Sequence, residues 1–280
     1  MTIFEAYNNI KKELKNAGID DDVFEAKQII KYITGYNNSQ ILSNYSNELT
    51  EFQKNNLTAI MKQRLIHYPL QYILGRWDFY GRSYKVGPGV LIPRQDTETV
   101  IDVCLEVLKD AEKPKILDIC AGTGCIGLTL AAETENSSVT LLEKYEEAAR
   151  YLRENIKNNA PENAKLILAD VFDGAAKDEK YDLIVSNPPY IKAEDIKNLQ
   201  AEVKYEPETA LAGGKDGLDF YRFIAKEYKE CLRSGGALVF EIGFDQGEAV
   251  KAIMEAEGFN DIKIVKDYSE NDRVVFGTVN

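Results

Sequence analysis

Five short runs rich in β-branched residues, Lys115–Cys120, Val139–Glu143, Leu166–Asp170, Leu183–Ser186 and Ala237–Ile242, are separated by amphipathic stretches of helical spacing. Strands that alternate with helices pair in parallel, because each crossover needs a dozen or more residues and the helix that supplies them covers one face of the sheet. Two further runs, Ile262–Lys266 and Arg273–Thr278, are joined by only a few residues. That is too short for a parallel crossover, so the last strand is expected to run antiparallel.

The first third carries a different pattern. Thr2-x-x-Glu5 and Thr50-x-x-Gln53 both match a capping box, and Gly18 and Gly35 stand where the apolar periodicity stops. Residues 1–75 therefore read as a small helical domain. After Gly75 the pattern turns to alternation, with Trp77-Asp-Phe79-Tyr, Gly81-Arg82 and Ser-Tyr84-Lys-Val86 suggesting a short hairpin before Gly87-Pro88-Gly89. We place a hairpin linker at 76–93 and the sheet domain at 94–280.

A chain of 280 residues, 44% of them hydrophobic, buries a sizeable core. The first apolar segment, Ile3 to Ile10, is interrupted by Glu, Asn and Lys. No run approaches the roughly 18 apolar residues of a membrane span, so a soluble, cytoplasmic protein without a membrane partner is expected; a monomer is expected as well. Cys104, Cys120, Cys125 and Cys231 show no C-x-x-C spacing and His67 is the single histidine, which points to reduced thiols and no metal. His67, at the end of a predicted helix, has no evident partner and is assigned no chemistry. Residues 1–93 hold 11 Lys and Arg against 9 Asp and Glu, whereas residues 94–280 hold 23 against 37. So acidic a domain repels a phosphate backbone, which disfavours nucleic acid as its partner.

Asp118-Ile-Cys-Ala-Gly122-Thr-Gly124-Cys-Ile-Gly127 leaves the first sheet-domain strand, enters a helix and spells G-x-G-x-x-G. Glycine is needed where the backbone turns tightly and a ligand approaches without a Cβ in the way. Glu143, at the end of the next strand, is placed to accept hydrogen bonds from a ribose diol. Asp170, at the end of the third, is placed to accept from an adenine amino group, with Val171 and Phe172 as apolar cover. These features suit a nicotinamide dinucleotide and S-adenosylmethionine alike. A dinucleotide brings a pyrophosphate to the helix N-terminus, whereas the sulfonium cofactor brings a positive sulfur that Asp118, Glu143 and Asp170 tolerate better. A purely structural glycine turn and an Asp that merely caps a turn are the plainer alternatives.

Val185-Ser186-Asn187-Pro188-Pro189-Tyr190-Ile191 follows the fourth strand at the same rim of the sheet as the glycine loop. A planar amide or aromatic amino nitrogen is a poor nucleophile because its lone pair is delocalised. Asn187 Oδ1 and the Pro188 carbonyl are two acceptors able to grip its two N–H groups out of conjugation. Pro188 and Pro189 fix φ near −65° and hold that carbonyl with little reorganisation, while Tyr190 offers a flat wall for a planar group. A Pro-Pro turn closing a strand with Asn as its cap is the bland reading.

Taken together, Asn187-Pro-Pro-Tyr190 and Asp118…Gly122-x-Gly124 resemble the S-adenosylmethionine-dependent amino-methyltransferases, and more narrowly the protein-(glutamine-N5) methyltransferases of peptide chain release factors. Matching stretches include Pro69-Leu-Gln-Tyr72-Ile-Leu-Gly75, Val90-Leu-Ile-Pro-Arg94, Tyr205-Glu-Pro207, Asp216-Gly-Leu-Asp-Phe-Tyr221, Glu241-Ile-Gly243 and Arg273-Val-Val275. Gln95, His67, Ala121 and Glu143 depart from the residues usual there, each conservatively in shape or role. The resemblance implies a seven-stranded Rossmann-like class I methyltransferase sheet with an antiparallel last strand, behind a helical N-terminal domain that helps hold the substrate. It implies as substrate the glutamine of a release factor's Gly-Gly-Gln loop. Asn187, Pro188, Pro189 and Tyr190 would be catalytic; Asp118, Ala121, Gly122, Thr123, Gly124, Cys125, Glu143, Asp170, Val171, Phe172 and Asn187 would bind the cofactor. An adenine-N6 DNA methyltransferase, a dehydrogenase and a non-catalytic cofactor-binding scaffold are the alternatives.

Overall fold

The computed structural model describes residues 1–159 and 162–280. The chain divides into two compact units, Met1–Gly75 with Gln200–Tyr205, and Arg76–Leu199 with Glu206–Asn280.

The first unit is helical: α1 (Ile3–Asn16), α2 (Asp22–Thr34), α3 (Asn38–Ser43), α4 (Glu51–Arg64) and α5 (Leu70–Leu74). Thr2 and Thr50 each accept from the backbone of the residue three ahead, whose side chain accepts from their own N–H in return, so both capping boxes form. A third, Asn37 with Gln40, opens α3. Ile3, Ala6, Ile10 and Leu14 recur at helical spacing and pack with Ala26, Ile29, Ile30 and Ile33 of α2 in one core. Arg64 is buried, gripping Glu25 through Nε at 2.7 Å and Nη2 at 3.0 Å and meeting Glu202 at 3.1 Å. His67 is not partnerless as its isolation in the sequence suggested: its Nδ1 lies 2.9 Å from the same Glu202 oxygen. That partner lies 135 residues away, beyond any local pattern.

The second unit opens with a hairpin of β1 (Arg76–Phe79) and β2 (Arg82–Lys85). Its two-residue turn, Tyr80-Gly81, has φ of 48° and 72°, the doubly positive geometry whose twist matches that of the flanking strands. The hairpin is part of this unit's core, because Phe79 and Tyr84 are buried in it and the Tyr84 hydroxyl meets that of Thr129 at 2.8 Å.

Then follow α6 (Glu98–Leu108), β3 (Lys115–Ile119), α7 (Cys125–Glu133), β4 (Ser138–Glu143), α8 (Glu146–Asn159), β5 (Ala164–Leu168) and β6 (Tyr181–Ser186). The unit ends with α9 (Asp219–Tyr228), β7 (Leu232–Glu241), α10 (Gly247–Ala256), β8 (Asn260–Lys266) and β9 (Asp272–Thr278). The sheet order is β5-β4-β3-β6-β7-β9-β8. All pairs from β5 to β7 are parallel, and β9 runs antiparallel between β7 and β8, as the short connection demanded. Alternation along the strands feeds two cores: Ile116, Leu183 and Val185 join α6, α7 and α8 on one face, whereas Leu117, Ile119 and Ile184 join α9 and α10 on the other.

Strand ends differ from the sequence reading where side chains compete for the backbone. Cys120 has left β3 with φ of 62°. Asp170 lies beyond β5, because its Oδ1 accepts the Phe172 N–H at 3.0 Å and caps a 3-10 turn instead of extending the ladder. β7 begins five residues early, through an Arg-Ser-Gly-Gly stretch whose Gly235 has φ of 77° and whose pairing with β6 shifts register.

Asn155 of α8 stitches three segments together. Its Oδ1 accepts from the Lys85 N–H at 2.7 Å, and its Nδ2 donates to the carbonyls of Lys85 at 3.1 Å and Thr123 at 2.9 Å. Asn155→Ala leaves buried backbone groups unpaired and is expected to cost about 3 kcal/mol of stability, read as a lowered urea midpoint with an unchanged m-value.

Candidate active site

The strand order reverses between β3 and β6, and the helices that follow them leave to opposite faces. A crevice opens at such a switch point, outside the carboxyl ends of the strands. The cavity there is walled by the glycine loop, the ends of β4 and β5, Asn187 and Pro189, and the stretches 89–94 and 207–210.

Each glycine of the loop answers to a different constraint. Gly122 and Gly124 have φ of 56° and 80°, and the Gly124 N–H closes a tight turn on the Ala121 carbonyl at 2.7 Å. A Cβ on Gly124 would lie 2.3 Å from Leu152, and one on Gly127 would lie 2.4 Å from Leu141, so the third glycine lets α7 approach the sheet. Gly122, Ala121, Thr123 and Cys125 line the cavity.

Asp118 does not line it. The side chain is buried beneath the loop, where Oδ2 accepts the Gly127 N–H at 2.8 Å and Oδ1 has no partner among the described residues. Gly124 likewise supports the loop from behind. Glu143 does face the cavity, locked by two backbone donors, Gly122 to Oε2 at 2.9 Å and Tyr145 to Oε1 at 2.7 Å. Each oxygen keeps a lone pair for a further donor.

Asp170, Val171 and Phe172 also stand on the wall. Burial raises the Asp170 pKa, but the Lys144 ammonium at 2.7 Å and the Phe172 N–H lower it on balance. Phe172 is 43% exposed and tilts against Phe220 and Phe223 with centroids at 5.0 and 4.6 Å, an aromatic rim.

At the end of β6 the Ser186 hydroxyl donates to the Ile119 carbonyl at 2.7 Å, which pins the Asn187 turn to the end of β3. Asn187 and Pro189 reach the cavity, whereas Pro188 and Tyr190 are not on its wall. Tyr190 packs against the second core, and its carbonyl accepts from Gln246 at 3.0 Å. The turn leaves no room behind it, since a Cβ on Gly213 would lie 2.6 Å from the Pro189 carbonyl.

Several contributors were missed as site residues by sequence reasoning: Lys144, Phe220, Val90 to Arg94, and Pro207, Thr209 and Ala210. Buried Glu206 joins the last two stretches, accepting the Ile92 N–H at 2.9 Å and pairing with Arg94. The stretches Val90-Leu-Ile-Pro-Arg94, Tyr205-Glu-Pro207 and Asp216-Gly-Leu-Asp-Phe-Tyr221 were the local signals, and Lys144 had none.

A cleft at the switch point of an open sheet, walled by a glycine loop and an Asn-Pro-Pro turn, defines a class I methyltransferase. Residues 94–214 match the family model Methyltransferase small domain, and residues 5–75 match PrmC N-terminal domain. The chain is 40% identical over 273 residues to the release factor glutamine methyltransferase of Fusobacterium nucleatum subsp. nucleatum, covering 97% of this chain and 77% of that protein. It is 37% identical over 265 residues to that of Clostridium botulinum, covering 94% of each. The crystal structure of a methyltransferase from Pyrococcus furiosus shares the fold, with a TM-score of 0.52 at 22% identity over 71% of this chain and 90% of that one. The chain belongs to the release factor glutamine methyltransferase family.

Two carboxyl groups around the cleft are pushed up to about 7 by burial, Asp118 and Glu241. Their ordinary values lie near 4, so between about pH 4 and 7 the folded chain holds protons that the unfolded chain has released. Stability is therefore lost as pH rises across that window. Urea titrations at a series of pH values should show a midpoint that falls from about pH 5 to 8, and Asp118→Asn should remove part of that fall, on the order of 2 kcal/mol. An unchanged slope in the variant rules out the burial of Asp118 as its cause.

Proposed function

We propose that this protein transfers a methyl group from S-adenosylmethionine to the side-chain amide nitrogen, N5, of the glutamine in the Gly-Gly-Gln loop of peptide chain release factors. The observation that carries the reading is Asn187 on the cavity wall beside the glycine loop, an amide acceptor at the one rim where a donor pocket and an amide-gripping turn meet. The activity named for the relatives points the same way.

The residues fit the cofactor. Gly122 leaves open the backbone cradle for an amino acid end, formed by Ala121 to Gly124 with Cys125 beside it, while Gly124 lets the loop pack on Leu152 behind. Glu143, held by two N–H groups, has lone pairs free for a ribose diol. Asp170 with Val171 and Phe172 suits an adenine ring. S-adenosylmethionine, when bound, supplies a methyl group on a positive sulfur, and the Glu143 carboxylate on the wall favours that charge.

This chain's own residues then act on the incoming carboxamide. Asn187 Oδ1, on the cavity wall, accepts one of its N–H groups, and the Pro188 carbonyl, next in the same turn though not on the wall, is the proposed acceptor for the other; together they turn the nitrogen lone pair toward the methyl. The prolines hold those acceptors with little reorganisation. Pro189 provides apolar cover that excludes water, and Tyr190, behind the turn, buttresses it. The helical unit helps hold the release factor, in the cytoplasm where these factors act. Asn187→Ala is expected to slow transfer about ten- to hundredfold, the loss of a well-placed hydrogen bond of roughly 1–3 kcal/mol. Mass spectrometry of a release factor after reaction should show one added methyl on the Gly-Gly-Gln peptide, and its absence with active enzyme sinks the reading. Glu143→Ala should mainly weaken cofactor binding, measured by calorimetry.

A further inference from the structure

The two ends of a primary amide are nearly equal in size, so which one faces a substrate is set by hydrogen bonds alone. For Asn187 to offer Oδ1 to the cavity, its Nδ2 end must be drawn the other way. β6 and β7 are parallel with Ser186 opposite Phe240, so Asn187 and Glu241 occupy the next rung at the carboxyl end. Glu241 is 2% exposed and does not line the cavity. The Thr97 and Asn187 side chains stand beside its carboxyl and lower its pKa, and its Oε2 has no hydrogen-bond partner among the described residues.

No ion pair among the described residues accounts for a carboxylate buried there. The neighbouring cation, Arg273, has its guanidinium occupied elsewhere: Nε and Nη2 lie at 3.1 Å from Asp267, Nη2 at 3.3 Å from Asp96, and Nη1 donates to the Ile242 carbonyl at 3.2 Å. Burying a carboxylate without a salt-bridge partner is costly, and the one side chain beside it that also reaches the cavity wall with an amide is Asn187.

We propose that Glu241 is a positioning residue: its carboxylate, an acceptor with no proton to give, holds the Nδ2 end of Asn187 and so keeps Oδ1 turned to the substrate carboxamide. The proposal rests on the reading of Asn187 given above. The charge behind the amide also polarises it and strengthens Oδ1 as an acceptor. Burial sets the Glu241 pKa at about 7; Thr97, Arg273 and Asn187 lower it and Asp96 raises it. Tyr190, Tyr221 and Cys125 are neutral groups near enough for the Glu241 charge to raise their own pKa values. Once protonated, Glu241 donates as well as accepts and no longer dictates the amide's orientation, so transfer slows as pH falls through about 7.

The test uses full-length wild type, Glu241→Gln, Asn187→Ala and the double variant, assayed with a recombinant release factor and radiolabelled S-adenosylmethionine on both sides of neutral pH. Glu241→Gln keeps the shape but gains a donor. Its kcat should fall about tenfold above neutrality with the KM for the cofactor unchanged and no drop in Tm, and the acid-side slowing of the wild type should vanish. The double variant should be no slower than Asn187→Ala. A Glu241→Gln enzyme with wild-type kcat and pH profile, beside a slow Asn187→Ala, overturns this proposal and leaves the proposed function intact. So does a double variant that is tenfold slower than Asn187→Ala, since Glu241 then acts independently. Wild-type rates in Asn187→Ala overturn the reading of Asn187 and this proposal with it.

Discussion

The hydrogen bond from Ser186 Oγ to the Ile119 carbonyl spans the seam between the two strands on which the site is built. β3 sends its chain into α7 on one face of the sheet and β6 sends its chain toward α9 on the other, so the two loops part at this seam and a crevice must form between them. Strands pair about 4.8 Å apart, which sets the glycine loop and the Asn-Pro-Pro turn within one strand spacing of each other. The remainder of the site is buttressing: Asn155 holds the loop from α8, Gln246, just before α10, holds the turn, and Glu206 ties Ile92 and Arg94 to the stretch that closes the cavity.

A ring of carboxyl groups surrounds this crevice, and the structure manages their burial in different ways. Glu143 is satisfied by backbone N–H groups, Glu206 by a backbone N–H and Arg94, and Asp170 by Lys144. Asp118 and Glu241 each keep one oxygen without a partner among the described residues, and burial raises their pKa values. On the wall Glu143 and Asp170 are thus matched by Arg94 and Lys144, while the more deeply buried Asp118 and Glu241 lose their protons only near neutral pH. A buried carboxyl that keeps its proton avoids much of the penalty of a buried anion.

Much of the fold was legible because its signals are local. The capping boxes at Thr2 and Thr50, the alternation of Trp77 to Val86 and the strand-helix repeat after Lys115 each follow from neighbours in the chain. The direction of β9 was legible for the same reason, since connection length excludes a crossover. Cys120 and Asp170 were assigned to strands they leave, because a positive φ in one case and a side chain bonded to the Phe172 N–H in the other override β propensity. His67 met Glu202, and Glu206 met Ile92 and Arg94, across more than a hundred residues, where no periodicity reports.

The sequence by itself determined the order of the elements, the glycine loop and the presence of an amide, two prolines and a phenol after the fourth strand of the parallel series, because these depend on backbone preferences and on spacing along the chain. Only the tertiary structure decided which of those groups face the cavity. It turned Asn187 and Pro189 inward, left Asp118 beneath the loop and Tyr190 behind the turn, and brought Arg94, Pro207 and Phe220 to the wall. Facing is set by packing against distant segments and by which polar groups find partners once water is excluded, and neither is written in the spacing of neighbours.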